Sequence, residues 1–130
     1  MQTIGVVGGG VMGSGIAQTA ILAGYRVICR DLSNELLQKA KDIIVNGRYG
    51  LRGGVERGKI TQERMDQALV NLTLTTKVED LKDCDLIIEV IGGTTEGEIE
   101  NKDLKLKVFK ELDKIVKKSA IFAKHLLMWH

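Results

Sequence analysis

The sequence predicts an α/β chain, a doubly wound and mostly parallel sheet forming a single domain with strand order 3-2-1-4-5. Three observations carry that reading. Short apolar runs alternate with longer segments of helical periodicity, as repeated strand–crossover–strand units require. The first run, Thr3-Ile4-Gly5-Val6-Val7, stops at Gly8-Gly9-Gly10, and a helical pattern opens at once. The run from Asp85 to Ile91 is apolar enough for a strand covered on both faces. At 130 residues the chain has room for one core.

Taken in order, Thr3–Val7 is the first strand. From Val11, small and apolar residues recur through Ile16, Ala17, Ala20 and Ile21 and end at Gly24, a helix with a glycine stop. Tyr25 to Cys29 is the second strand, closed by Arg30-Asp31. Ser33 caps a helix with Glu35 in its first turn. Leu36, Leu37, Ala40, Ile43, Ile44 and Leu51 fall on one face of that helix, which is expected to run long until Gly53-Gly54 and Gly58 interrupt it. Thr61 caps a shorter helix through Met65, Ala68 and Leu69. Leu72–Thr75 reads as the third strand and Asp85–Ile91 as the fourth. Leu104, Val108, Leu112, Ile115 and Val116 describe a further amphipathic helix, and Ala120–Ala123 a fifth strand. Such parallel pairs need right-handed crossovers.

Composition excludes several classes. Nineteen basic residues against 17 acidic ones leave a net charge of +2, which argues against a nucleic-acid binder and a polyacidic tail protein. No run approaches the ~18 apolar residues of a membrane span, and the N-terminus lacks the pattern of a secretion signal. Cys29 and Cys84 lack the spacing of a metal site and are too few for a disulfide scaffold. A cytoplasmic protein with neither metal, membrane nor nucleic-acid partner is expected. The lysines around the last helix alternate with apolar residues and acids, which describes a solvated face.

The chemistry-bearing pattern is Gly8-Gly9-Gly10-Val11-Met12-Gly13, a G-x-G-x-x-G lying directly after a strand and opening a helix. Gly8 permits a tight turn. Gly10 lets a diphosphate approach the backbone, and Gly13 lets the helix pack on the strand. The helix N-terminus offers free N–H groups and a partial positive charge. Asp31 follows Gly13 by 18 residues at the end of the second strand, where a carboxylate accepts both ribose hydroxyls of an adenosine. Its charge would repel a 2′-phosphate, which favours NAD over NADP. Arg30 is the one neighbour able to hold such a phosphate.

With these residues the chain resembles the N-terminal NAD-binding domain of the 3-hydroxyacyl-CoA dehydrogenases, from about Ile4 to Ala123. The matching stretches are Ile4 to Ala17, Val27 to Asp31, Arg57 to Thr61, Cys84 to Val90 and Phe109 to Asp113. Met12 with Gly15-Ile16-Ala17, and the long helical insertion between the second and third strands, are more specific than the glycines. The resemblance implies a Rossmann domain over 1–123. It also implies an oxidoreductase exchanging a hydride between NAD and a 3-hydroxyacyl-CoA in fatty-acid or butanoate metabolism. Carried over by motif, Gly8, Gly10, Val11, Met12, Gly13 and Asp31 contact NAD. The family's cofactor-contacting glutamate and lysine correspond to Glu100 and Lys105.

Three departures shape the expectations. Gly92 to Glu98 is a seven-residue insertion relative to the family pattern, rich in Gly, Thr and Glu and read as a loop beside the cofactor site. After Ala123 the family continues with a Ser-Asn-Thr-Ser type loop, whereas Lys124-His125-Leu126-Leu127-Met128-Trp129-His130 stands here. Residues 124–130 read as a tail foreign to the family, explained equally by a frameshift, an early stop or a cloning artefact. The family's catalytic histidine and glutamate, and its helical substrate and dimerisation domain, belong beyond this point. His125 and His130 match neither position. The chain is therefore expected to bind NAD(H) without turnover and to meet acyl-CoA only with a second domain. The alternative is a stand-alone nucleotide-binding module or gene remnant. Arg48, Arg52 and Arg57 lie where the family meets CoA, and the apolar tail either drives self-association or tucks against the sheet.

Overall fold

The computed structural model describes residues 2–90, 110–111, 114 and 121–124. Five strands form one sheet: β1 (Thr3–Val7), β2 (Arg26–Arg30), β3 (Leu72–Thr75), β4 (Leu86–Glu89) and β5 (Ile121–Lys124). Their order is β3-β2-β1-β4-β5, as expected, and every neighbouring pair is parallel. The register places Val7 opposite both Arg30 and Glu89, Arg30 opposite Thr75, and Glu89 opposite Lys124. These residues therefore mark a single carboxyl edge. The chain order reverses direction beside β1, so the crevice outside its carboxyl end is where ligands of such sheets sit.

Among the described residues, the connections from β1 to β3 are filled by α1 (Val11–Leu22), α2 (Asn34–Asn46), α3 (Leu51–Glu56) and α4 (Gln62–Val70). Strand alternation sends Ile4, Val6, Val27 and Cys29 into one core with Ala17 and Ile21 of α1 and Ile44 of α2. Each fully buried aliphatic chain there contributes about 1.5–3 kcal/mol. On the opposite face lies a 3-10 turn over Val78–Leu81, which sequence reasoning did not anticipate. Leu81 and Cys84 press so close that a Cβ on Gly5 would meet them at 3.0 and 3.1 Å. The Thr75 hydroxyl donates to Asp80 and accepts from the Lys77 amide, which fixes that turn to the end of β3.

Local signals explain most boundaries. Ser33 accepts from the Leu36 amide at 3.2 Å and Thr61 from the Arg64 amide at 3.1 Å, so both expected caps form. Caps of this kind contribute about 1 kcal/mol each. Gly24 has φ 95°, which makes the glycine stop of α1.

The long helix expected from Ser33 to Leu51 is instead two helices. The chain leaves α2 at Gly47, whose backbone turns extended with ψ 168°. A Cβ on Gly47 would stand 2.4 Å from the Ile43 carbonyl oxygen, and the Gly50 amide donates back to Gly47. This turn redirects the chain so that Leu51 becomes buried at the start of α3. Gly53 and Gly54, expected to end the helix, lie inside α3. Smaller shifts affect the strands. β2 and β5 each begin and end one residue later than expected, and β4 occupies only Leu86–Glu89 of the expected Asp85–Ile91. Of the helix expected through Leu104 and Val116, only Lys110, Glu111 and Lys114 are described, and they are helical. The rest of it, the 92–98 loop and residues 125–130 lie outside the described residues. Among the described residues no helix is long and apolar enough to cross a membrane.

Candidate cofactor site

The site is built where β1 ends. Gly8 takes φ 109°, a conformation that an L side chain resists, and it turns the chain out of the sheet. Its amide donates to the Arg30 carbonyl at 2.9 Å, so the turn is stitched to β2 as it leaves β1. Gly10 then caps α1 with extended backbone, and the Ser14 amide donates to its carbonyl at 2.8 Å as the first intrahelical bond. The amides of Val11, Met12 and Gly13 precede that bond and have no acceptor within the helix. The first turn of α1 holds no acidic side chain, so its positive end is not neutralised from within the helix.

Two glycines of the motif answer to opposite constraints. A Cβ on Gly13 would lie 1.8 Å from the Gly8 carbonyl oxygen and 3.0 Å from Val90. The helix therefore rests directly on the turn. A Cβ on Gly10 would meet nothing within 4 Å. The backbone there faces open space, which is the cradle a diphosphate requires. Val11 and Met12 are 79% and 50% exposed on the rim of that space.

Asp31 meets the loop from the end of β2. Its Oδ2 accepts from the Gly9 amide at 2.8 Å, and its Oδ1 accepts from the Leu32 amide, also at 2.8 Å. Each carboxylate oxygen carries a second lone pair, so two acceptor positions remain for a diol. Arg30 points elsewhere: its Nε donates to the Thr76 carbonyl at 3.1 Å. The same side chain lines a cavity of about 490 Å³ with Thr76, Lys77, Glu79, Glu111 and Lys114.

Gly8, Gly10, Val11, Met12, Gly13 and Asp31 thus come together at one loop, with Gly10, Val11 and Met12 on its open side and Gly13 packed beneath. Glu100 and Lys105 lie outside the described residues. Arg48 stacks its guanidinium 5.4 Å above the ring of Tyr49, Arg52 lies on α3, and Arg57 closes α3 as its C-terminal cap. Sequence reasoning missed two residues beneath the loop. Gly9 is buried against Ala40 and Asp31, where a Cβ would sit 3.0 and 3.2 Å from their atoms. Ser14 is buried and donates from its hydroxyl to the Gly9 carbonyl at 2.9 Å. The one available signal was a small hydroxyl residue directly after the third motif glycine. Cys29 lies under the same loop, its thiol pushed up to about 12 by burial and then by the charge of Asp31. It is protonated and unreactive at neutral pH. Among the described residues no cluster of His, Cys, Asp or Glu is arranged to hold a metal.

Comparison with known proteins agrees with this geometry. Residues 3–125 match the family model described as 3-hydroxyacyl-CoA dehydrogenase, NAD binding domain. A 3-hydroxybutyryl-CoA dehydrogenase of Bradyrhizobium diazoefficiens is 37% identical over 95% of this chain, which covers 39% of that protein. Among solved structures, (S)-3-hydroxybutyryl-CoA dehydrogenase PaaH1 of Ralstonia eutropha superposes with a TM-score of 0.82 at 31% identity. The match takes in 95% of this chain and 40% of that one. FadB2 of M. tuberculosis superposes with a TM-score of 0.81 at 37% identity, over the same shares of the two chains. The chain therefore spans about two fifths of these relatives. A glycine loop open at Gly10, a helix seated on the turn at Gly13 and an acid at the end of β2 are the parts such a domain needs, and the chain belongs to the family of 3-hydroxyacyl-CoA dehydrogenase NAD-binding domains.

Proposed function

We propose that this domain seats NAD(H) for hydride exchange with a 3-hydroxyacyl-CoA in fatty-acid or butanoate metabolism. The observation that carries the reading is the bond from the Gly9 amide to Asp31 Oδ2. It joins the phosphate-facing loop and the ribose-facing acid into one preorganised unit. The amides of Val11, Met12 and Gly13 hold the diphosphate over Gly10, and the free lone pairs of Asp31 accept the adenosine ribose hydroxyls. Glu100 and Lys105 share in holding the cofactor. The charge of Asp31 repels a 2′-phosphate, and Arg30, tied to Thr76, does not offset it.

When bound, NAD supplies the hydride acceptor or donor. Oxidising the alcohol also needs a base for its hydroxyl proton. The ionisable groups at the loop do not serve: Asp31 is engaged by two amides, and the Cys29 thiol is buried and protonated. We assign the base and the acyl-CoA walls to segments other than this loop, and we propose that NAD(H) binding by these 130 residues proceeds without turnover of substrate.

Calorimetric titration tests the reading. NADH is expected to bind at roughly tens of micromolar, since one domain covers only part of a dinucleotide. NADPH is expected to bind at least about tenfold more weakly, a difference of ~1.4 kcal/mol. No heat with millimolar NADH, or equal affinity for the two, overturns the assignment. Oxidation of NADH by the chain in the presence of acetoacetyl-CoA overturns the claim of no turnover.

A further inference from the structure

Ser14 closes the first turn of α1 and is fully buried beneath the glycine loop. Both of its donors are spent on that loop. Its amide donates to the Gly10 carbonyl at 2.8 Å, the bond that any helix makes at this place. Its hydroxyl donates to the Gly9 carbonyl at 2.9 Å, which is not such a bond. A helical hydroxyl ordinarily turns back on a carbonyl of its own helix, as Thr19 of α1 does on Gly15 at 2.9 Å. Ser14 instead reaches a residue ahead of the Gly10 cap, outside the helix.

The Gly9–Gly10 peptide is trans and planar, so its N–H, which belongs to Gly10, points opposite to its C=O. The carbonyls of Gly9 and Gly10 are both drawn toward Ser14. The amides of Gly10 and Val11 are therefore turned the other way, off the N-terminal end of α1. Gly9 is buried and Gly10 is exposed, so the turn of this one peptide carries the donor from the packed side to the open side. The amide of Gly9 is tied as well, to Asp31 Oδ2 at 2.8 Å. With both of its polar groups held, the Gly9–Gly10 plane cannot rotate without stranding a buried carbonyl. We propose that Ser14 is a positioning residue for the diphosphate: its hydroxyl aims the Gly10 amide at the phosphates, as a fourth donor beside the amides of Val11, Met12 and Gly13. Ser14 is buried and acts through the peptide, not by contact. The inference rests on the reading that this loop seats NAD(H).

ADP and adenosine separate the diphosphate from the rest of the nucleotide, because both carry the ribose that faces Asp31. In the isotope-labelled native chain, the amide proton resonance of Gly10 is expected to move downfield with ADP but not with adenosine. Ser14→Ala removes the hydroxyl alone. Its affinity for ADP is expected to fall about tenfold, the weight of one hydrogen bond to a charged group, while adenosine binds as it does to the native chain. A side chain that merely held the loop together would weaken both ligands alike. Equal losses for ADP and adenosine, or no loss for either, overturn the proposal. ADP binding that leaves the Gly10 resonance of the native chain unmoved also overturns it, and that measurement needs no variant to fold. A native chain that binds no ADP at millimolar concentration brings down the NAD(H) reading, and this inference with it.

Discussion

A methyl group added at Gly10 meets nothing within 4 Å, whereas the same methyl at Gly13 lands 1.8 Å from the Gly8 carbonyl oxygen. Both glycines belong to one six-residue motif, yet they lie on opposite sides of the loop. The outer rim, from Gly10 to Met12, is open backbone and exposed side chain. The underside, made by Gly9, Gly13, Ser14, Cys29 and Asp31, is packed and hydrogen-bonded. A single turn of chain therefore separates the demands of a ligand from those of the fold. Glycine is required on the rim for what must come in, and on the underside for what is already there.

The largest effect should come from the underside. Gly13→Ala forces α1 off the turn against backbone atoms, which cannot swing aside as a side chain would. A loss of about 3 kcal/mol or more is expected, read as a collapse of the thermal unfolding midpoint. If Gly13→Ala melts like the native chain, the contrast between the two sides fails. Asp31→Asn tests the residue that serves both sides. One acceptor remains but the charge is lost, so about 1.5–3 kcal/mol of stability is expected to go with it. The preference for NADH over NADPH should shrink in the same variant. Retained preference would sever the ribose from this carboxylate. Gly10→Val sharpens the other half. Its exposed position should leave stability within about 0.5 kcal/mol, while NADH affinity falls tenfold or more, ~1.4 kcal/mol. Lost stability with unchanged affinity would invert the assignment of the two sides.

How far these roles were legible in the sequence depends on whether they are local. The strand order, the loop and the acid could be read because periodicity and motif spacing are properties of neighbouring residues. The helix break could not. Gly47, Gly50, Gly53, Gly54 and Gly58 look alike as a string, and what separates them is the burial of Leu51, which only the packed core decides. Likewise Asp31 was recognisable as an acid in the right place. Its grip on Gly9 joins residues 22 apart and exists only once β1 and β2 lie side by side. Ser14 was invisible for the same reason: its partner, the Gly9 carbonyl, is supplied by folding. Glu89 is fully buried at the end of β4, although its sequence context reads simply as an apolar strand.

Cys29 provides the finest test of the packed underside. Its thiol is raised from 9.0 to about 12, first by burial and then by the nearby carboxylate of Asp31. The folded chain therefore keeps a proton that the unfolded chain releases above pH 9. By linkage, the stability contributed by the neutral thiol is complete below pH 9 and is lost as pH rises through 12. Cys29→Ala removes this component, so the alkaline fall in unfolding midpoint should be shallower in the variant than in the native chain. The difference between the two curves isolates Cys29, because the tyrosines and lysines that titrate in the same range are common to both. Parallel curves would mean that the thiol is not shielded, and the underside of the loop would then be as open to water as its rim. Near neutral pH the predicted change is small, since the thiol is protonated in both states and only the packing of one sulfur atom against the loop is lost.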